Sequence, residues 1–498
     1  MNMQFLEDVD FDDDDELENV NEIENVNAQD EIDDRMSIDD QIFHFNQKVG
    51  CNNFDGVHGI HYMLKHYDYD IDNSDQDGQT ALHRAALNSK PKTVRFFLDR
   101  MTNLNTLDNF GESPLMIAAH RGNMEIFMSI NIKLETEISP PIGIRSRIHV
   151  KTGGATLLML ACTHSEHWSE QHEESLQIVK LLLQNNFDPR VKDDEGKTSL
   201  HYALRYTHSE ITVRKNMLML INDVKKDSLV HMKDNDGNTA LHIACGKFWG
   251  DKLIPFLLEY GARMSDTNLK GETPMHVAAR QRISKNINLL VQSGAKRHTQ
   301  DKMGRTPVHA FIVSDRMTLI RYNPRFSRDI LYPLALLTDE LNYKRKLSYL
   351  EIKDNEGNTP LMSACKMQNQ IIIEALIKNE GININAVDNN GSTVIHECVQ
   401  FALNVTEDLI NKDVDIYVLN HDHESPLDLA KKLSFDVRNG FVSLIRDRIE
   451  HDKSLMFAFS MIQHKRLGND SHGQILSPEE IGIIGQQAYH KLFSPHCT

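Results

Sequence analysis

Asp77-Gly78-Gln79-Thr80-Ala81-Leu82-His83 is the phrase on which the fold turns. It returns as Gly111-Glu112-Ser113-Pro114-Leu115-Met116 and, more weakly, as Gly154-Ala155-Thr156-Leu157-Leu158. Clear copies follow at Gly196-Lys197-Thr198-Ser199-Leu200-His201 and Gly237-Asn238-Thr239-Ala240-Leu241-His242. Four more begin at Gly271, Gly304, Gly357 and Gly391, and a degenerate tenth, Glu424-Ser425-Pro426-Leu427, begins at His423. The glycines are separated by 33, 43, 42, 41, 34, 33, 53 and 34 residues. A base period near 33, with insertions in four units, accounts for every gap.

Each part of the phrase has a physical reason. Glycine reaches the positive φ that a tight turn needs. Thr or Ser caps a helix N-terminus through its side-chain oxygen. Pro114, Pro274, Pro307, Pro360 and Pro426 then fall at the first helical position, where a missing N–H costs nothing. Small pairs such as Ala85-Ala86, Ala118-Ala119 and Ala244-Cys245 let neighbouring helices approach closely. A second helix with apolar spacing follows, as in Leu253, Ile254, Phe256, Leu257 and Leu258, and often ends at glycine, as at Gly261 and Gly294. One such unit cannot bury its apolar faces alone, but a stack of them can.

The recurring Thr-Pro-Leu-His core, as in Gly304-Arg305-Thr306-Pro307-Val308-His309, resembles the signature of the ankyrin repeat over roughly residues 75–433. The resemblance implies an all-α solenoid of stacked helix-turn-helix units with β-turn fingers. Four segments are expected: a disordered acidic tail over 1–45, a partial capping unit over 46–74, an array of about ten repeats over 75–449, and a helical tail over 450–498. Insertions are expected at about 131–152, 163–175, 205–232 and 312–352. The last of these carries a run of Arg, Lys and Tyr side chains.

Charge is distributed unevenly. Residues 1–40 hold 17 Asp or Glu and one basic residue, Arg35, and so carry −16 of the formal −18 of the chain. The near-neutral remainder gives no electrostatic case for a nucleic-acid partner. The tail reads as a solubilising segment, as an arm for a basic partner, or as a mask for the array's own binding face. No basic n-region precedes an apolar run, and no stretch of 18 or more apolar residues suggests a membrane span. Six scattered cysteines argue against a disulfide scaffold and for a reducing compartment, cytoplasmic or nuclear.

No catalytic, cofactor or metal site is expected. Gly196-Lys197-Thr198 imitates the end of a phosphate-binding loop, but Val191 stands where that motif needs glycine. Asp234-Asn235-Asp236-Gly237 imitates a calcium loop, yet Met232 and Ile243 occupy its terminal ligand positions. His83, His201, His242, His276, His309 and His396 share one repeat position, and the resemblance makes them structural. His164, His167 and His172, with Glu166 and Glu170, form the one cluster that could hold zinc, and it reads more simply as a solvated loop.

The function expected is therefore a non-catalytic scaffold or adaptor that binds one or more partner proteins, with a monomer as its state. In ankyrin proteins ligands contact the turn tips and the first-helix face, which together form a concave groove. The resemblance places Phe110, Lys270, Met303 and Arg305 at or beside tips, and Tyr202, Arg205, Phe248, Trp249 and Arg280 on first helices. Glu112, Glu195, Lys197, Leu269, Glu356 and Asn390 share the tip positions, and Arg84, His120 and Lys247 the helix positions. Interface anchors favour Trp, Tyr, Phe and Arg. An alternative is a substrate receptor of a ubiquitin ligase, because Leu476-Ser477-Pro478-Glu479-Glu480-Ile481 is similar to the start of F-box helices.

Overall fold

Each repeat begins with a hydrogen-bonded turn that delivers the chain into a short helix. In the computed structural model, Asp234 opens such a turn. The Gly237 amide donates to its carbonyl (2.9 Å), and the Asn238 amide donates to its Oδ1 (2.7 Å). The same pair of bonds recurs at Asp75, Asp108, Asp193, Asn268, Asp301, Asp354, Asp388 and Asn420. The structure describes residues 71–88, 91–101, 103–137, 154–163, 172–206, 210–223, 229–314, 327–338, 348–378, 382–400 and 414–432, with a few single positions between 409 and 451. The expected acidic tail, most of the capping unit, the C-terminal tail and the 164–170 part of the histidine cluster lie outside these residues.

The chain divides into two units, residues 1–188 and 189–498. In the first, α1 (Ala81–Leu87), α3 (Pro114–Arg121) and α5 (Leu157–Ala161) are first helices; α2 (Pro91–Leu98), α4 (Met124–Glu137) and α6 (His172–Gln184) are second helices. First helices pack on first helices, second on second, and each pair packs on itself. In the second unit the first helices are α7 (Ser199–Tyr206), α9 (Ala240–Cys245), α11 (Pro274–Gln281), α13 (Pro307–Ile312), α15 (Pro360–Lys366), α17 (Val394–Gln400) and α18 (Pro426–Lys431). Their second helices are α8 (Glu210–Asp223), α10 (Gly250–Glu259), α12 (Ser284–Gln292), α14 (Ser327–Thr338) and α16 (Gln370–Ile377). The only extended pairings among the described residues are isolated bridges, Ser74 with Thr80 and Val387 with Thr393.

The small residues do what their size predicts. Ala85, Ala86, Ala118, Ala119, Ala244, Cys245, Ala278, Ala279, Ala364 and Cys365 are fully buried where first helices meet. Full burial pushes the Cys162 and Cys245 thiols far above their usual range, so these cysteines serve as apolar packing groups.

Much of what reads as insertion is second helix. α8 fills the middle of 205–232 and packs on α7, while α14 lies inside 312–352 and packs on α12, α13 and α16. Pro333 sits inside α14, where proline normally interrupts a helix, and so conceals it; in α8 the helical spacing of Met217, Met219 and Leu220 reads as core even behind Arg214, Lys215 and Asn216. Similarly, α4 continues to Glu137 and α6 begins at His172, so the extra residues of those units partly lengthen helices.

Candidate partner-binding surface

The recurring histidine ties one repeat to the next. His276 Nδ1 accepts the Thr273 amide (3.1 Å) and pairs with the Thr273 hydroxyl (2.8 Å), while Nε2 lies 3.0 Å from the Arg305 carbonyl of the following turn. An amide N–H can only donate, so Nδ1 must be the bare nitrogen and Nε2 must carry the proton. His83, His201, His242, His309 and His396 repeat this arrangement. Burial holds all six below the ordinary imidazole range, so they are neutral, and each is engaged within the fold rather than offered to a ligand. Where methionine replaces histidine, the cap hydroxyl accepts the N3 amide: Met116 to Ser113 (3.3 Å), Met159 to Thr156 (3.3 Å) and Met362 to Thr359 (3.4 Å).

A second rail joins the tips. The Asn235 amide donates to the Glu195 carbonyl, Leu269 to Asp236, Lys302 to Lys270, Asn355 to Met303, Asn389 to Glu356 and His421 to Asn390, all at 2.8–3.0 Å. Asn235, Asn355 and Asn389 add a side-chain rung to the preceding finger. A third rail runs just before the turns, where Lys192, Lys233 and Lys353 each donate to a backbone carbonyl of the next repeat, as does Gln300. These Asn and Lys positions do structural work that the signature alone does not show. Aligning the residue before each turn Asp would have exposed the third rail.

The rails hold the tips still and leave their side chains outward. In the second unit Leu269 is 61% exposed, Met303 53% and Phe248 71%; Phe110 is 56% exposed in the first unit. Lys270 and Met303 stand at the tips of successive fingers, their amides bound to Asn268 Oδ1 (3.0 Å) and Asp301 Oδ1 (2.8 Å). At another corner the Lys247 ammonium donates to the Arg205 carbonyl (2.8 Å) and lies 5.9 Å from the Trp249 ring centre.

Three expected contact residues are already engaged. Arg280 pairs with the buried Glu272 (3.1 Å), Arg305 with the buried Asp301 (3.2 Å), and the Tyr202 hydroxyl donates to Asp193 (2.9 Å). They brace the fingers and are only half-buried. Lys197, read as a tip residue, is buried with its ammonium on the Glu195 carboxylate, so it projects no charge at the tip. Sequence reasoning also passed over Leu107, Val387 and Leu419, which precede their turns and are exposed. It passed over Arg282 as well, whose guanidinium lies over Phe311 (4.6 Å) and donates to the Phe311 carbonyl (2.9 Å). Among the described residues no group of three His, Cys, Asp or Glu is arranged to hold a metal.

Stacked two-helix units with pinned turns and outward apolar tips define a repeat-built recognition module. The family model described as "Ankyrin repeats (3 copies)" matches residues 51–139, 158–268, 211–301 and 336–420, more than half of the chain, and the protein belongs to that family. Among curated relatives, it is similar to neurogenic locus notch homolog protein 1 of Homo sapiens, with 27% identity over 180 residues, 35% of this chain and 6% of the relative. It is also similar to Rabankyrin-5 of Mus musculus, with 31% identity over 130 residues, 26% of this chain and 10% of the relative. The matches thus span a tenth or less of these relatives' own length.

Proposed function

We propose that the protein is a non-catalytic adaptor that holds partner proteins on its fingertips and first-helix face, the concave groove of its family. The observation that supports this most directly is the row of large apolar side chains held outward on hydrogen-bonded turns, with Leu269 and Met303 on neighbouring fingers. A fixed backbone has little entropy left to lose on binding, so contacts made by these side chains convert efficiently into affinity. Replacing both Leu269 and Met303 by Ser tests the reading. Proximity labelling and pull-down with mass spectrometry should show partners lost, while circular dichroism stays unchanged. An identical partner list from the folded variant would refute this placement.

The ligase-receptor reading rests on Leu476–Ile481, outside the described residues. Deleting 450–498 should remove ligase components from co-purification and spare other partners; if the full chain never captures such components, the reading fails. Placement in the cytoplasm or nucleus is supported by the free thiols of Cys162, Cys245, Cys365 and Cys398. Imaging a tagged full chain tests it.

A further inference from the structure

Each described turn of the second unit presents two residues at its tip, between the Asp or Asn that opens the turn and the residue that closes it. Asp194-Glu195, Asn235-Asp236, Asn355-Glu356 and His421-Asp422 carry acid there, and Asn389-Asn390 is neutral. Only Leu269-Lys270 and Lys302-Met303, on successive fingers, combine a cation with a large exposed apolar side chain. The backbone rail fixes their order. The Leu269 amide donates to the Asp236 carbonyl (2.8 Å), that of Lys302 to Lys270 (2.9 Å) and that of Asn355 to Met303 (2.9 Å). Along the stack the tips therefore run Asp236, Leu269, Lys270, Lys302, Met303, Glu356. Two lysines stand innermost, an apolar side chain lies outside each, and a carboxylate lies beyond.

A Cβ on Gly271 would lie 3.1 Å from Lys302 Cγ, so the Lys302 side chain runs against the finger that bears Lys270. Both lysines are exposed, and neither ammonium has a hydrogen-bond or ion-pair partner among the described residues. The buried carboxylates of the same two fingers are already taken, Glu272 by Arg280 (3.1 Å) and Asp301 by Arg305 (3.2 Å). Each of these fingers thus keeps one uncompensated positive charge, while the fingers on either side expose Asp236 and Glu356.

We infer that these two fingers dock a short segment of a partner protein in which two acidic residues are flanked by apolar ones, the carboxylates on Lys270 and Lys302 and the apolar side chains on Leu269 and Met303. This rests on the reading that Leu269 and Met303 hold partners, and it adds the chemistry of the segment they hold. Charge complementarity selects the acids, the outer side chains supply apolar area, and Asp236 and Glu356 repel any acid placed beyond the quartet. A nucleic-acid strand or a long acidic tract is charged along its whole length and meets those outer carboxylates. The chain's own Leu6-Glu7-Asp8-Val9 has the quartet pattern, but acids continue past it at Asp10 and Asp12, which the outer fingers oppose.

The test uses the full chain and fluorescence anisotropy with labelled peptides that carry one quartet between Gly-Ser flanks. The quartets are Leu-Glu-Asp-Val, its amide analogue Leu-Gln-Asn-Val, its basic analogue Leu-Lys-Lys-Val and the reordered Glu-Leu-Val-Asp; a run of Glu completes the set. The first should bind best. Lys270→Glu with Lys302→Glu should weaken it at least about tenfold and turn preference toward the basic peptide, a reversal that unfolding cannot produce. Asp236→Lys with Glu356→Lys should admit the Glu run. The inference is overturned if the native chain binds the amide, reordered or Glu-run peptide as tightly as the first, if it does not bind the first, or if the charge-reversed variant is unchanged. A chain with Glu7→Gln and Asp8→Asn that gains peptide binding the native chain lacks would put the chain's own segment on the fingers and overturn it too. Partners lost on replacing Leu269 and Met303 by Ser, with no charge preference among the peptides, would leave the adaptor reading standing without this inference; partners retained there would sink the adaptor reading itself.

Discussion

Within each repeat, the turn with its first helix and the second helix behind it follow different rules. First helices are short and nearly uniform, from five residues in α5 to eight in α3, α7 and α11. Second helices run from eight residues in α2 and α16 to 14 in α4 and α8. The difference lies in what joins neighbours. Turns and first helices are tied by directional bonds at fixed positions: the tip amides, the histidines and the Lys or Gln rail. One added residue would put every rung out of register. Second helices meet mainly through apolar faces, which tolerate an extra turn of helix or a longer loop. The exposed tip side chains therefore sit on the side of uniform length, and length variation collects on the other.

The sharpest way to break this comparison is at a turn glycine. Gly357 has φ +83°, and a Cβ there would lie 2.5 Å from both the amide nitrogen and Oδ1 of Asn389 on the next finger. Gly357→Ala should cost about 3 kcal/mol, combining left-handed strain with displacement of a rung. Chemical denaturation would measure it, and hydrogen exchange should show the loss centred on residues 354–393. A cost below about 1 kcal/mol would mean that the fingers are not in fixed register.

Next comes the histidine rail. His276→Ala leaves the buried Thr273 amide and hydroxyl and the Arg305 carbonyl without their imidazole, and should cost about 2 kcal/mol. The six neutral histidines also predict a pH effect. Their folded pKa values lie below the unfolded value of about 6.5, so the unfolded chain binds more protons as pH falls through that value. Stability is then full above about pH 7 and declines below about 6.5. The Glu397 carboxyl, raised by burial, acts in the opposite sense but is one group against six. Calorimetry from about pH 7.5 to 5.5 should show Tm falling by about 3 °C or more, with a shallower slope in His276→Ala. A flat profile would remove the neutral-imidazole account.

The rigid side was legible in the sequence because its rules are local. Gly for positive φ, Thr for the cap, Pro at the first helical position and alanine pairs each need only a neighbour or two, and they repeat. The second helices were less legible because apolar packing accepts many patterns. Pro333 hid α14 within a stretch that reads as an insertion, whereas in 205–232 the helical spacing of Met217, Met219 and Leu220 already marked core. At the surface, the tip positions of Phe110, Lys270 and Met303 followed from the resemblance to the ankyrin repeat. What Arg280, Arg305 and Tyr202 touch did not, because their carboxylate and finger partners are set by how the chain folds back on itself. Exposure could be read from position at Phe110 and Met303 but not at Lys197, and engagement required coordinates.

The smallest expected effect sharpens the other half of the comparison. Residues 339–347 stand in the sequence between α14 and the 3-10 turn Ser348–Glu351. Adding Gly-Ser-Gly after Lys344 leaves intact the Thr306–His309 pairing, the Lys302–Lys270 rung and the Asn355–Met303 rung. The cost is then expected to be only the extra closure entropy of a longer connection between two fixed ends, under about 0.6 kcal/mol for less than a doubling. The same three residues between Met303 and Gly304 would separate Asp301 from the Gly304 and Arg305 amides it accepts and carry the Met303 carbonyl away from Asn355. Denaturation of the two insertion variants side by side gives the measurement. A loop insertion as costly as the finger insertion would mean that the back of the repeat is as tightly registered as its face, and that helix length there is fixed by something other than apolar contact.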